Sequence, residues 1–419
     1  MGIWIVIGVL FILLRKIYSL RGSFFTPSVM VVSLYFFSVV ASIFEISLNQ
    51  EQYKNYSFYG TEYFISSISF LGLLLIFLWP LVSFREDRIE KITIPKGFIF
   101  HSFSITLLLL SLFSLIYFIP IAFIALTLDN IGEVRQSIGT GHFQLVNDNI
   151  FNTVAGTTAS FYQIPMAIAL INFARGKHNF FSYALLLSST SYIFFIFSAV
   201  GRDGIVFWLF SFLGLWSLFR TFIPTKINHN FKRILILISI VGLSALLLIT
   251  FSRFRDAPFK SILSYFGQSF PNFCIAYNID LPVATGKAFP LFRSIIGLPE
   301  TVNDSDLINK LNQEGTVSYI FGTFLKTFVF SFGKFGTWMI GIIISILFVP
   351  YFKSRAKILS FSKLLVYLLF FQILSQGVFY FRQYNRVGNL LIIVYIILAV
   401  LFYLLSRISG SIKISIPKK

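Results

Sequence analysis

Residues 191–216 read SYIFFIFSAVGRDGIVFWLFSFLGLW, two apolar runs separated only by the polar turn GRDG at residues 201–204. With their flanking residues, each run has the roughly 20 apolar residues that a helix needs to cross the hydrocarbon core of a membrane. The stretch therefore predicts two membrane-spanning helices joined by a very short turn. Arg202 and Asp203 lie in that turn, and charged side chains between two apolar spans need an explanation.

The composition of the whole chain extends this prediction. Of the 419 residues, 56% are hydrophobic and 12% are charged, and the mean hydropathy is +0.82. A soluble domain carries about 25% charged residues, so the sequence predicts an all-α polytopic membrane protein. The single cysteine, Cys274, excludes an intramolecular disulfide and a cysteine-based zinc site. The sequence has no HExxH pair, phosphate-binding loop or GxGxxG turn.

Apolar runs of sufficient length predict eleven spans. They cover residues 2–20, 24–44, 62–84, 98–124, 151–173, 180–200, 204–222, 234–251, 335–352, 364–381 and 388–406. The first is interpreted as an anchor and not as a cleaved signal, because no basic segment precedes it and no cleavage motif follows. The chain then divides into eight spans over 1–251, a large external loop with short helices over 252–334, and three spans with a tail over 335–419.

The lysine and arginine residues predict how these spans are oriented. Alternate connecting segments, beginning with the one after the first span, hold 21 basic residues and three acidic ones, Glu86, Asp87 and Glu90. The other segments hold 13 basic and 13 acidic residues, so the net charge of +18 lies on one side. We expect that side to be cytoplasmic, with the N-terminus and the GRDG turn outside and the C-terminus inside. The charge indicates topology, and no nucleic-acid partner is expected.

The long external loop is predicted to contain several kinds of structure. Its middle is rich in proline, glycine and acidic residues, which predicts irregular backbone. Residues 306–331 have a helical, partly apolar pattern and are placed on the bilayer surface. Apolar side chains such as Phe289 favour an ordered element that docks on the rest of the protein.

Five arginines lie on the external side close to span ends, where basic residues are disfavoured. They are Arg202, Arg253, Arg255, Arg382 and Arg386. Because a guanidinium donates in pairs to phosphate oxygens, arginine is better suited than lysine to bind phosphate. These positions therefore indicate an external site for a phosphorylated ligand.

Local sequence adds detail to this site. Arg382 and Arg386 stand four residues apart in YFRQYNRVGN (380–389), so we expect them to share one helical face. Tyr380 and Tyr384 are expected on a neighbouring face. Arg202 precedes a predicted helix whose N-terminus favours anions. Gly204 is expected to let a ligand approach closely, and Asp203 to orient Arg202.

Simpler explanations of these residues stay open. They are a solvated ion pair of Arg202 with Asp203, anchoring of Arg382 and Arg386 to lipid phosphates, and pairing of Arg253 or Arg255 with Asp256.

The layout and three segments of this chain resemble the O-antigen polymerase (Wzy) family of oligosaccharide repeat-unit polymerases. The segments are FSAVGRDGIVFWLF (197–210), FPLFRSIIGLPE (289–300) and GTVSYIFGTFLKTFVFSFGKFGTWMIGIII (315–344). The resemblance covers most of the chain and rests on degenerate motifs. It implies an enzyme of the bacterial cytoplasmic membrane with its active site on the external face, making O-antigen or capsule polysaccharide. A chain-length regulator protein and membrane lipids are its expected partners.

The implied reaction moves a glycan from undecaprenyl pyrophosphate to a hydroxyl of a second lipid-linked repeat unit. Cations must stabilise the leaving pyrophosphate and a base must activate the hydroxyl. The external arginines suit the first role, joined by Arg293 of the second segment, and no metal or other cofactor is expected. Glu300, on the same segment, is the first choice as catalytic carboxylate, and Asp256 is the second.

Three other functions compete with the polymerase. A flippase for lipid-linked oligosaccharides would show repeats and charges within its spans. An O-antigen ligase is associated with a histidine in the large loop, and this loop has none. A polyprenyl-monophosphate glycosyltransferase carries paired acids in its first external loop, and Glu45 with Glu51 does not match that pair.

Overall fold

Apolar helices make up most of the residues that the computed structural model describes. The structure describes residues 1–53, 56–127, 149–233, 258–279, 286–299, 321–354 and 357–416, together with residues 236, 239, 240 and 244. The first six helices are α1 (Gly2–Arg21), α2 (Pro27–Leu48), α3 (Thr61–Ser83), α4 (Phe98–Thr127), α5 (Ile150–Ser160) and α6 (Gln163–Ala174). The next six are α7 (Phe180–Ser188), α8 (Ser191–Ser198), α9 (Asp203–Phe219), α10 (Pro258–Gly267), α11 (Ser269–Asn278) and α12 (Pro290–Ile295). The last three are α13 (Thr323–Lys353), α14 (Phe361–Gln376) and α15 (Arg386–Ile408).

The helices confirm a polytopic membrane protein. Within the described ranges, seven helical segments are long and apolar enough to cross a membrane, and an eighth forms if the bent pair α5 and α6 is one span. Helices α9 and α14 are apolar but shorter, with 17 and 16 residues. Ten of the eleven predicted spans overlap these helices. The predicted span 234–251 lies almost entirely outside the described residues.

A small sheet, which the sequence analysis did not predict, closes one end of the bundle. Strand β1 (Lys91–Pro95) pairs in parallel with β2 (Ile358–Ser360) and antiparallel with β3 (Ser411–Ser415). Side chains alternate along β1, so that Ile92 and Ile94 are buried whereas Lys91 is exposed. All three strands come from segments that the charge count assigned to the cytoplasmic side. These segments therefore share one end of the bundle, which we call the sheet face.

A buried ion network joins several helix ends at the sheet face. The Arg21 guanidinium contacts Glu86, with 2.6 Å between Nε and Oε2, and also pairs with Asp87. The Glu86 carboxylate accepts hydrogen bonds from the Ser28 backbone N–H and from the Tyr367 hydroxyl. Each charge is thus matched by donors or a counter-ion, as buried charges must be. The network fixes α1, α2 and α14 relative to the end of α3.

The opposite end of the bundle carries the polar turns before α9 and between α14 and α15. Helix α14 runs away from β2, and α15 returns to β3. The segment between them, residues 377–385, therefore lies at the end that is distal to the sheet. We call this end the arginine face, because Arg202 and Arg382 lie there.

Two short helices, α10 and α11, lie in the first part of the predicted external loop, where short helices were expected. Helices α10 and α11 pack against α2 and α3, and the side chains from Ser269 to Tyr277 are buried. Phe270 and Phe273 both contact Phe70, with ring centroids 5.0 and 5.2 Å apart. Each of the two helices has ten residues and is too short to cross a membrane alone.

The end of the predicted loop also differs from its prediction. Helix α13 begins at Thr323 and contains a break at Gly333, where φ is 72° and ψ is 174°. Residues 323–331 are largely buried against the bundle instead of lying on the bilayer surface. Phe324 and Phe328, for example, both contact the Phe77 ring at 5.2 and 5.5 Å. Residues 306–320 of the predicted segment lie outside the described residues.

Candidate active site on the arginine face

An ion pair joins the two polar turns of the arginine face. The Arg382 Nη1 donates to the Asp203 carboxylate across 179 positions of the sequence. The two side chains are 20% and 15% exposed, so solvent screens the pair only in part. Burial alone would lower the pKa of the Arg382 guanidinium. Tyr192 and Asp203 raise this pKa by more than burial lowers it, so the net pKa lies above its ordinary value. Arg382 is therefore a fixed, permanent positive charge.

A buried polar chain supports Arg382 from the interior of the bundle. The guanidinium lies over the Tyr192 ring, with Cζ 5.4 Å from the ring centroid. The Tyr192 hydroxyl accepts a hydrogen bond of 2.9 Å from Gln376, whose Oε1 accepts one of 3.2 Å from Gln383. Tyr162 stacks on the Tyr192 ring, with the ring centroids 4.1 Å apart. These contacts and the ion pair with Asp203 hold the guanidinium in one place.

The backbone next to the ion pair is strained. Val200 and Thr323 are the non-glycine residues with positive φ in the described ranges, at 55° and 64°. β-Branched residues rarely adopt this conformation. Val200 precedes the GRDG turn, and Thr323 pairs with Tyr380 just before Arg382. Strain of this kind persists where surrounding contacts enforce it, and it is frequent at functional sites.

Two further arginines lie at helix starts on the same face. Arg202 is the N-cap residue of α9, and Arg386 is the first residue of α15. The Asn385 side chain caps α15 by accepting a hydrogen bond of 2.7 Å from the Gly388 N–H. A helix N-terminus favours negative charge, and a neighbouring guanidinium adds to that effect. The predicted helix start next to Arg202 is confirmed.

The predicted helical face shared by Arg382 and Arg386 is wrong. Helix α14 ends at Gln376, and residues 381–385 form a turn that is not helical. The same break removes the shared face predicted for Tyr380 and Tyr384. Tyr380 instead stacks on the Phe321 ring at 5.7 Å, and Tyr384 is exposed.

The glycines of the GRDG turn serve helix packing, contrary to the prediction that Gly204 admits a ligand. A Cβ on Gly204 would lie 2.8 Å from the Ile196 Cβ, and one on Gly201 would lie 2.6 Å from Ile196 Cγ2. Both positions are therefore small because the Ile196 side chain fills the space. The left-handed residue of the turn is Val200 and not a glycine.

Arg293 lies in the docked segment 286–299 and not among the exposed cations. Its side chain is buried, and Nε donates to the Pro299 carbonyl oxygen at 2.7 Å. Phe289 of the same segment contacts Phe328 and Phe381, which confirms the expected docking. Arg293 therefore orders its own loop beside the site.

The sequence analysis missed Asn389, which connects the docked segment to the arginine turn. Its Nδ2 donates to the carbonyl oxygens of Ala288 at 3.1 Å and Gln383 at 2.7 Å, and its Oδ1 accepts from the Leu291 N–H at 3.2 Å. The side chain is fully buried. A lone amide at the start of an apolar span was the available signal.

Glu45 was also missed as an organising residue. Its buried carboxylate accepts hydrogen bonds from Ser264 at 2.6 Å, Asn49 at 2.7 Å and Tyr53 at 3.1 Å. Burial and the nearby carboxylate raise the pKa of Tyr53, which keeps this hydroxyl a donor. Because Ser264 belongs to α10, Glu45 attaches that helix to α2.

An apolar cavity of about 260 Å³ opens between α13 and the last two helices. Its described walls are aromatic and aliphatic side chains, with Phe289 and Phe381 on the loop segments and Ile344, Phe370 and Ile392 on the helices. Phe381 adjoins Arg382 in the sequence. The cavity therefore begins beside the arginine turn and extends along the spans.

Four predicted site residues, Arg253, Arg255, Asp256 and Glu300, lie outside the described residues, and their roles stay predictions. In the part of the chain that the structure describes, no three His, Cys, Asp or Glu side chains come together in a way that could hold a metal ion.

Comparison with known proteins gives this chain no relative: no family model, no curated protein and no solved structure matches it. Its function has to be inferred from the residues and their geometry.

Proposed function

We propose that this protein is a glycosyltransferase of the bacterial cytoplasmic membrane that polymerises undecaprenyl-pyrophosphate-linked oligosaccharide repeat units. The growing glycan leaves its lipid pyrophosphate and is transferred to a hydroxyl of the incoming lipid-linked unit. The bond between the anomeric carbon and the pyrophosphate oxygen breaks, and undecaprenyl pyrophosphate is released. The product is an O-antigen or capsule type of polysaccharide.

The Asp203–Arg382 ion pair is the observation that carries this proposal. It places the GRDG and YFRQYNRVGN turns side by side, so that Arg202, Arg382 and Arg386 belong to one face. A departing pyrophosphate gains negative charge as the glycosidic bond breaks, and fixed cations stabilise that charge. Arginine supplies such cations without a metal ion.

The residues of the face then take different roles. Arg202 and Arg386, at helix N-termini, bind pyrophosphate oxygens together with Arg382. Asp203 and Tyr192 position Arg382. The base remains assigned to Glu300 or Asp256 of the large loop, with Arg253 and Arg255 as further cations.

The apolar cavity supports a substrate with a lipid chain. It begins at Phe381, next to Arg382, and its described walls offer no polar group. A polyprenyl chain could extend along such walls while its pyrophosphate meets the arginines. This arrangement fits the membrane-bound donor better than a soluble sugar nucleotide.

The orientation is part of the proposal. The sheet face carries the segments whose basic residues predict a cytoplasmic location, and the arginine face then lies outside. Repeat units would reach the site after transport across the membrane, and a chain-length regulator would contact the protein on that side.

A flippase is the second candidate, because one buried cation lies within a span. Lys326 is buried in α13, and its Nζ lies 5.8 Å from the Phe330 ring centroid. Ionisable residues inside membrane spans often mark transport pathways.

The two candidates differ in what accumulates when the gene is deleted. Loss of the polymerase leaves surface glycan of one repeat unit, visible as a single band on a gel. Loss of a flippase removes that band too. Purified protein with lipid-linked repeat units in liposomes should release undecaprenyl pyrophosphate only if it is the polymerase, and failure to do so contradicts the proposal.

A further inference from the structure

A second cavity, of about 460 Å³, opens on the sheet face, at the other end of the bundle from Arg382. Five elements surround it: the end of β1, the first turns of α4, the end of α6, the start of α7 and strand β3. Its polar lining includes His101, Arg175 and Lys177, and its apolar lining includes Phe100 and Phe181. The arginine cluster described above has no part in it.

Arg175 is a cation without a protein counter-ion. Its side chain is half-buried, and its guanidinium forms no hydrogen bond or ion pair with any residue that the structure describes. Burial lowers the pKa of Arg175, and no partner offsets that effect. Among the described residues, no carboxylate lines the cavity. A half-buried guanidinium in this setting favours an anion from outside the protein.

The acids of the sheet face are already engaged. The segments predicted to be cytoplasmic hold only Glu86, Asp87 and Glu90. Their ion-pair partners are Arg21 for Glu86, Arg21 and Arg85 for Asp87, and Lys357 for Glu90. None of these three acids is therefore free to act as a counter-ion in the cavity.

The rim of the cavity indicates a lipid and not a solute. Phe98 and Phe180, at the starts of α4 and α7, are 81% and 87% exposed. Large apolar side chains that are exposed at helix ends belong at the level of the bilayer. The first turns of both helices also present backbone N–H groups, which favour negative charge.

We propose that this cavity binds the phosphodiester head group of an anionic phospholipid. The Arg175 guanidinium donates to two phosphate oxygens, Lys177 supplies a second cation, and the apolar walls contact the start of the acyl chains. The site is independent of glycosyl transfer, and it makes the stability of the protein depend on the lipid composition of that leaflet.

The test uses the purified full-length protein in neutral detergent. Native mass spectrometry measures the binding of phosphatidylglycerol and phosphatidylcholine. We expect phosphatidylglycerol to bind about tenfold more tightly, a difference of about 1.4 kcal/mol. Replacing Arg175→Ala together with Lys177→Ala should abolish this preference. Arg175→Lys should keep only part of it, because an ammonium cannot donate in a fixed pair.

The matched control is Lys226→Ala with Lys353→Ala. It removes two exposed positive charges that do not line the cavity, and the lipid preference should persist. Equal binding of the two lipids to the unaltered protein overturns the proposal, whether or not the variants fold. So does a retained preference in the Arg175/Lys177 variant, or full displacement of phosphatidylglycerol by millimolar inorganic phosphate, which would indicate a site for a soluble anion.

Discussion

Asp203 at the start of α9 holds Arg382, which lies 179 residues further along the chain between α14 and α15. Removing either partner leaves the other charge partly buried without its counter-ion. At this exposure the loss is about 1–3 kcal/mol of unfolding free energy. We expect Arg382→Ala and Asp203→Ala to abolish chain extension, with polymer reduced about 100-fold or more.

The exchanged pair, Asp203→Arg with Arg382→Asp, separates positioning from charge. It restores an ion pair, and with it the membrane level and thermal stability, but it moves the cation to α9. Polymer length on a gel should stay short in this variant. Wild-type polymer from it would show that the pair is structural only.

Arg202 and Arg386 make a second prediction, because the proposed role needs a planar fork and not only a charge. Arg202→Lys and Arg386→Lys should lower polymer formation at least about tenfold while leaving protein levels unchanged. The control is Arg88→Lys, since Arg88 is an exposed arginine of the sheet face. Normal polymer from both lysine variants would contradict pyrophosphate binding by these residues.

The sequence predicted the helices well because the membrane imposes one strong constraint, the length of an apolar run. It missed the three short strands of the sheet. Strand β1 shows the period-2 pattern of KITIP, but five residues at a span end resemble a loop until their partners are known. Short helices were expected in the large loop, but no sequence rule showed that α11 buries its side chains in the bundle.

The site was predictable by residue type and not by geometry. A rule about charge and orientation singled out Arg202 and Arg382. It could not show that Asp203 holds Arg382, because no local pattern encodes a contact over 179 positions. The shared helical face failed for a local reason, since α14 ends at Gln376 and Tyr380 pairs with Thr323 instead of continuing a helix to Arg382.

The apolar cavity makes a third prediction. Ile344→Trp should fill part of the cavity and raise KM for a donor with a long polyprenyl chain, with little effect on a donor analogue that has a short chain. The control is Ile346→Trp on the same helix, because Ile346 is 66% exposed and does not line the cavity. Equal effects of Ile344→Trp on both donors would exclude the cavity as the lipid site.

Asn389 makes a fourth prediction, about the docked segment 286–299. Asn389→Leu leaves the Ala288 and Gln383 carbonyl oxygens without this donor, at a cost of about 1–3 kcal/mol each if they stay buried. The segment should detach and become open to trypsin after Lys287 and Arg293. Leu390→Ala, on the exposed neighbour, should not change the digest. An unchanged digest for Asn389→Leu would mean that other contacts suffice to hold the segment.

The last prediction concerns the orientation of the protein in the membrane. Its test is simple because the single native cysteine, Cys274, is buried. Burial raises the pKa of the Cys274 thiol to about 12, and its side chain is inaccessible, so the native cysteine should not react with maleimides at neutral pH. Cysteines introduced as Tyr384→Cys on the arginine face and Lys226→Cys on the predicted cytoplasmic side then report the two sides. An impermeant maleimide should label Tyr384→Cys in intact cells, and Lys226→Cys only after the membrane is permeabilised. The reverse pattern would place the arginines in the cytoplasm and remove the basis for polymerisation on the outer face.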